Sequence, residues 1–362
     1  MLIPLIIFVA LVGANVIISV YLERKVSAFI QDRLGPMEVG KWGLLQLFAD
    51  LIKLLQKEDI IPTSADKRLF KFAPILIFMA IFSGFAVLPI TSTLQGSAAQ
   101  TGVFFLLAIV SLDIVGILMA GWASNNKYSL LGAMRSVAQV ISYEVPLGLS
   151  VLCVIVVTQT LDLQEISFQQ GIFSSESNYL FGIKKLGIDV SNVGGFLTWN
   201  IFRNPFLIIV YVIFFITTLA ETNRAPFDLP EAESELIAGY HTEYSGFRFA
   251  ILFLAEYGIM LLVSILGAIL FLGSWNSPLP NIGSCKLAFW TSGNPGSVGS
   301  YLWGAFWLFS KAYFGIFIMM WVRWTLPRLR IDQLMYLCWK ILTPFLLVLL
   351  LISTIWRVFM VY

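Results

Sequence analysis

Charge is scarce in this sequence. Only 12% of its 362 residues are charged, against about 25% in an ordinary soluble domain. Its 23 basic and 21 acidic side chains are too few to cover the surface of one or more soluble domains of this length. The net charge of +2 leaves no basic face for nucleic acid, so that class of partner is excluded. Histidine occurs once, at His241, and cysteine three times, at Cys153, Cys285 and Cys338, with no CxxC pair. That set cannot build a Cys/His zinc site or hold an iron–sulfur cluster alone, so no metal ligands are assigned. No GxGxxG or P-loop string stands out, and the chain is not expected to bind a nucleotide itself.

Apolar residues are abundant instead. They make up 58% of the chain, and the mean hydropathy is +0.85. Long apolar runs fall at about 1–21, 72–90, 103–122, 132–158, 205–220, 247–272, 301–322 and 334–361. Each is close to the roughly 20 residues that cross a bilayer. The fifth is the shortest and could start a turn earlier, near Leu197. The first lacks a basic leader and a small-residue cleavage site, so it reads as a retained helix rather than a signal peptide. The expected fold is an all-α polytopic membrane protein of eight transmembrane helices, a single integral membrane domain over 1–362. No internal repeat, low-complexity tract or soluble domain interrupts it. The 160–200 stretch, polar and rich in Gly and Ser, reads as a plain surface loop on the outside.

Basic residues alternate with the connections. Seventeen Lys and Arg fall on one side of the expected spans, and four (Lys184, Lys185, Arg203 and Lys286) on the other. This positive-inside bias sets both termini outside, with the long connections on the cytoplasmic or matrix side. In the first of these, 43–57 reads GLLQLFADLIKLLQK. Gln46, Asp50, Lys53 and Lys57 share one helical face; Leu44, Phe48, Leu51 and Leu55 share another. This amphipathic helix is too short and charged to span. It either lies on lipid or roofs a cavity with its polar face inward.

Four ionisable residues sit within apolar runs: Asp113, Glu144, Glu256 and Lys311. Each costs roughly 2.5–3.5 kcal/mol at the bilayer centre. They are tolerable only facing the interior of a bundle, with water or one another. A structural ion pair between Lys311 and one carboxylate is one reading. A proton path is the other, since three acids and one base leave carboxylates without a cation, and burial favours their protonated form. The 221–243 loop adds Glu221, Asp228, Glu231, Glu233, Glu235 and Glu243 against only Arg224 and His241. Asp228, Glu231 and Glu235 would share a face of a helix opened after Pro230. Closely spaced buried carboxylates titrate as a coupled set. Glu243 could be merely solvated. Glu221, one turn beyond Thr217 and Thr218, is placed to link the loop to the membrane interior. Span four offers Arg135, Gln139 and Ser142 on one face and Glu144 roughly opposite. His241 is either a proton relay or a hydrogen-bonded structural group.

Five segments carry a family resemblance. AETNRAPFDLPEAESELIAGYHTEYSG (220–246) closely resembles the signature of the H-type subunits of proton-translocating NADH:quinone oxidoreductase, the complex I subunit 1 family of mitochondria. YLERKVSAFIQDRLGP (21–36) resembles its second signature. GLLQLFADLIKLLQKEDIIP (43–62), GWASNNKYSLLGAMRSVAQVISYEVPLG (121–148) and RWTLPRLRIDQLM (323–335) are also similar. The outer loops match weakly.

The resemblance implies eight transmembrane helices at the joint of the peripheral and membrane arms, and most of the membrane-side part of a quinone chamber. It implies quinone as substrate and no cofactor bound by this chain alone. NADH, flavin and iron–sulfur clusters are implied in partner subunits. Peripheral-arm quinone-site and iron–sulfur subunits, small membrane-arm subunits and the lipid bilayer are the implied partners. Glu144, Glu221, Asp228, Glu231, Glu233 and Glu235 match family acids of a proton line, and Glu256 and Lys311 match charged positions in later spans. Arg24, Arg33, Asp50, Lys53, Arg135, Arg224, Phe227, Arg328 and Arg330 match positions near the chamber or the partner interface. Asp113 departs from the pattern, because that position is usually apolar or small. It could be an extra carboxylate beside Lys311 or the acidic line, or a simple interhelical hydrogen-bonding group. A related hydrogenase-type complex, a stand-alone ion-coupled transporter and a structural anchor are the competing readings. The transporter would require inverted repeats, which are not evident; the anchor leaves four mid-membrane ionisable residues unexplained. The YHTEYSG stretch favours a bacterial inner membrane over an organellar one.

Overall fold

The computed structural model describes residues 2–174, 179–183, 189–191, 193–229, 237–281, 286–293 and 296–360. Its helices are α1 (Leu2–Ile30), α2 (Gln46–Gln56), α3 (Lys67–Gly84), α4 (Gly102–Val110), α5 (Leu112–Ala123) and α6 (Lys127–Thr158). There follow α7 (Leu163–Gln169), α8 (Asn200–Arg203), α9 (Leu207–Glu221), α10 (Gly246–Leu270), α11 (Leu287–Ser292), α12 (Val298–Thr325) and α13 (Ile331–Tyr336). A π-helical stretch, Leu337–Leu342, joins α13 to α14 (Thr343–Met360). Among the described residues, five helical segments are long and apolar enough to cross a membrane: α4 with α5, α6, α10, α12, and the run from α13 through α14. The chain is an all-α, multi-spanning membrane protein.

Helix bounds differ from the hydropathy pattern where capping and proline intervene. α1 runs nine residues past the expected 21, through the charged LERK sequence, because nothing before Gly35 and Pro36 breaks it. At 29 residues it is roughly 43 Å long, so its charged end rises past a hydrocarbon layer of about 30 Å. α3 starts five residues before the expected 72, because the Asp66 carboxylate caps it by accepting from Arg68 N at 3.1 Å. It stops at Gly84, short of Pro89. α9 does not begin near Leu197. Asn204 is extended before Pro205, as a residue preceding proline must be, and the helix forms only from Leu207.

The 160–200 stretch is not a plain surface loop. α7 buries Leu163 and Ile166, and the buried Gln170 side chain joins it to the rest. Gln170 Nε2 donates to Ile269 O at 2.8 Å, while its Oε1 accepts from Asn200 N and Gly273 N. A polar composition hides this fold because the polar groups bond inward to backbone.

α10 runs through the centre, apolar on every side and buried almost continuously from Tyr257 to Leu270. α1, α3, α9 and α12 surround it. Close approaches need missing side chains. A Cβ on Gly121 of α5 would stand 2.3 Å from that of Ala133 on α6. One on Gly132 of α6 would stand 2.7 Å from Gly239 Cα, so the short 239–241 turn lies directly on α6. That turn carries Tyr240 and His241 into the protein.

Candidate functional site

α2 lies across the charged end of α1. Arg24 Nη1 contacts Asp50 Oδ2 at 2.6 Å, and Gln46 Nε2 donates to Asp50 Oδ1 at 3.1 Å. Beneath α2 is a cavity of about 570 Å³. Val16, Val20 and Arg24 line it from α1; Leu47, Asp50, Lys53 and Lys57 from α2; His241 and Tyr244 from the turn; Phe249 and Phe253 from α10. Leu44, Phe48, Ile52 and Leu55 of the same segment are exposed on the outside. The segment therefore roofs a cavity with one face and turns an apolar face outward. The loop after α2 is tied down by Ser245, which donates to Glu58 O at 3.2 Å, and by an Arg248–Asp59 pair at 2.9 Å.

Behind the cavity a second cluster joins four segments. Arg224 Nη1 donates to both oxygens of Glu23, at 2.7 and 2.9 Å. Arg323 from α12 and the Tyr257 hydroxyl from α10 also donate to Glu23. The Arg224 guanidinium lies 4.6 Å from the centre of the Tyr257 ring. Burial works most strongly against the Arg224 charge, but Glu23, Tyr257 and Glu256 together outweigh it and hold the guanidinium more firmly protonated than usual. Pattern reading misses Glu23, Tyr257 and Arg323 as site residues. Glu23 sits in a run of charged residues at a helix end, which looks like an ordinary solvated terminus. Only its burial distinguishes it.

Next to this cluster, Phe227 is buried edge-on against Tyr143 of α6, with ring centres 5.3 Å apart. Asp228 follows, where burial pushes its carboxyl above the usual range and nearby Arg323 and Arg328 pull it back. Arg328 thus joins the site. Arg330 is exposed and opens α13, its backbone N–H donating to Gln333 Oε1 at 3.2 Å. Arg33 is exposed and, with Arg24 and Ser27, borders a separate surface pocket rather than the cavity. Arg135 is half-buried on α6. Glu231, Glu233 and Glu235, and the helix expected after Pro230, lie outside the described residues.

The membrane-embedded acids converge from four helices. Ser111, between α4 and α5, donates to Glu144 of α6. Gln139, on the other side of α6, donates to Ala220 O at 2.8 Å and to Asn223 Oδ1 at 3.1 Å, fixing the end of α9 that carries Glu221. Glu221 is buried, with Glu144 and Asp113 as its electrostatic neighbours. Asp113 is buried within reach of Glu256. Glu256 pairs with His241 Nε2 at 2.9 Å and accepts from the Tyr240 hydroxyl at 3.4 Å. Glu243 is not merely solvated, since its Oε1 accepts from Asn126 Nδ2 at 2.6 Å. Thr217 and Thr218 spend their hydroxyls on Phe214 O and Phe215 O within α9, so neither reaches toward Glu221.

Lys311 stands apart from these acids. Its ammonium donates to Ser274 O at 2.8 Å and Asn276 O at 2.7 Å, 4.5 Å from the centre of the Trp199 ring. Backbone carbonyls, and not a carboxylate, answer its charge, which corrects the ion-pair reading. Asp113 correspondingly falls beside the acidic line and not beside Lys311. Among the described residues, no group of His, Cys, Asp and Glu is arranged to hold a metal ion.

Known proteins share this chain along nearly its whole length. A family model described as NADH dehydrogenase matches residues 3–354. The chain is 64% identical over 345 residues to an NADH-quinone oxidoreductase H-type subunit of Cytophaga hutchinsonii, covering 94% of each. It is 53% identical over 357 residues to the corresponding NADH-quinone oxidoreductase chain of Chlorobium luteolum, covering 99% of this chain and 88% of the relative. To that of Bacteroides fragilis it is 45% identical over 352 residues, covering 97% of this chain and 89% of the relative.

Proposed function

This chain belongs to the family of H-type subunits of NADH-quinone oxidoreductase, and we propose that within it the chain is the element coupling quinone reduction to proton movement. It is a membrane-arm subunit of the NADH:quinone oxidoreductase, multi-pass in a bacterial inner membrane. In the proposed arrangement it forms one integral membrane domain of eight spans, with both termini outside. Peripheral-arm subunits hold the NADH site, flavin and iron–sulfur clusters, and small membrane-arm subunits flank it. This chain then supplies no redox centre of its own.

One observation carries the reading: the cavity under α2 and the buried carboxylates share a wall, formed by the 239–241 turn and α10. A quinone is amphiphilic. Its tail suits the apolar lining from Val16, Val20 and Phe253, and its polar head suits the end near Arg24, Asp50 and Lys53. It enters from lipid, beside α1 and under α2. Electrons come from a partner subunit, and taking up two electrons leaves the head in need of two protons. The negative charge formed there acts on acids in a low-dielectric surrounding, where Coulomb interactions reach far. Asp228, Glu231, Glu233 and Glu235 respond first, and the change in protonation passes through Glu221 and Glu144. Glu256 and Lys311 extend the path within the later spans. Arg224 and Phe227 hold the acidic loop against the helices; Arg33, Arg135, Arg328 and Arg330 serve the chamber rim or the interface with partners.

Glu144→Gln in the assembled complex tests this. NADH oxidation by an artificial electron acceptor should persist, while quinone-linked turnover and protons moved per electron fall. Unaltered turnover and an unaltered ratio would overturn the coupling role.

A further inference from the structure

Asp113 has no part in the path just described, although it is an electrostatic neighbour of two of its acids. The residue is 8% exposed, and its Oδ1 has no hydrogen-bond partner. A buried carboxyl left unpartnered is costly and needs a reason. The surrounding geometry supplies one. α5 packs against both α6 and the 239–241 turn, and Ser111 just before it donates to Glu144 of α6. The 239–241 turn packs on α6 at Gly132, and His241 of that turn holds Glu256 at 2.9 Å. Asp113 lies within electrostatic reach of both Glu221 and Glu256. His241 also lines the 570 Å³ cavity.

We propose that Asp113 passes protons between the Glu256–His241 pair at the cavity wall and the Glu221–Glu144 pair deeper in the membrane. The buried acids then have a branch to the cavity through α10 and α5, besides the one through the acidic loop. The step is a plain exchange. The O–H bond of Glu256 breaks as one forms on Asp113, directly or across a water, and the proton then moves on to the Glu221 carboxylate. Glu256 is recharged through its hydrogen bond to His241. No electron moves and no co-reactant is consumed. His241 thereby acts as a relay on the cavity side.

This branch rests on the coupling role proposed above, so its test carries Glu144→Gln as a parallel variant. The intact complex is reconstituted in vesicles and supplied with NADH and a quinone. Asp113→Asn keeps the shape and removes the exchangeable proton. It should lower quinone-linked turnover and the proton-to-electron ratio severalfold, leave oxidation by an artificial acceptor unchanged, and be rescued by Asp113→Glu. It should also remove a carboxyl C=O band from the infrared difference spectrum between oxidised and NADH-reduced complex, which a packing role would not do. Wild-type turnover, ratio and infrared bands in Asp113→Asn would overturn the branch. So would an equal loss in Asp113→Asn and Asp113→Glu accompanied by loss of acceptor activity, which marks a packing role. If Glu144→Gln is impaired and Asp113→Asn is not, only the branch fails; if neither is impaired, the coupling role fails with it.

Discussion

The Arg224 guanidinium bonds both carboxylate oxygens of Glu23, at 2.7 and 2.9 Å, across 201 residues of sequence. The pair fixes the start of the 222–229 segment to α1, and Arg323 and Tyr257 bring α12 and α10 to the same carboxylate. The acidic segment and the cavity are thus held in one relation by a single buried acid.

Glu23→Gln leaves two guanidinium groups near a neutral amide. Breaking a buried pair from one side costs about 3–5 kcal/mol. The expected outcome is a marked fall in the amount of assembled complex, read by native electrophoresis stained for NADH oxidation. Wild-type abundance and thermal stability would show that the cluster contributes little.

Gly132 and Gly148 lie on the same helix in opposite circumstances. A Cβ at Gly132 would stand 2.7 Å from Gly239 Cα, where backbone cannot yield, while one at Gly148 meets nothing within 4 Å. Gly132→Ala should cost about 1–3 kcal/mol and disturb the turn that holds His241. Gly148→Ala should be neutral, or stabilising by up to about 1 kcal/mol through reduced backbone freedom. Thermal denaturation of the two variants side by side checks the difference, and equal melting temperatures would contradict it.

Asp228 makes stability depend on pH in a definite direction. Its carboxyl lies above the ordinary value of about 3.9 in the folded chain, chiefly through burial. Below that value both states are protonated and the group contributes nothing. As pH rises from there toward the raised value, the unfolded chain ionises first and the folded one loses stability. Asp228→Asn should therefore stabilise the subunit at neutral pH relative to wild type, with the gain vanishing in acid. A gain that is the same at both pH values would show that burial of the ionised group is not its source.

Much of the fold is legible in the sequence because composition, periodicity and charge bias act locally. A run of apolar residues reads as a membrane helix, and α2 is evident from its two faces alone. Helix ends are less legible, since Asp66 as a cap and Pro205 as a breaker act through backbone geometry and not hydropathy. The 160–200 stretch passes for a surface loop for a related reason. Gln170 and Asn200 look solvent-loving until their side chains are seen bonded to backbone inside the protein.

The acids within the apolar runs are visible by their cost. Composition alone establishes a helical membrane protein with expensive ionisable groups, and its motifs establish the family. Which charges meet follows only from the packing of the helices. Glu23 finds Arg224, Lys311 finds carbonyls, and Asp113 comes within electrostatic reach of both Glu256 and Glu221. Burial and distance set those relations, and both arise only when helices far apart in sequence pack side by side.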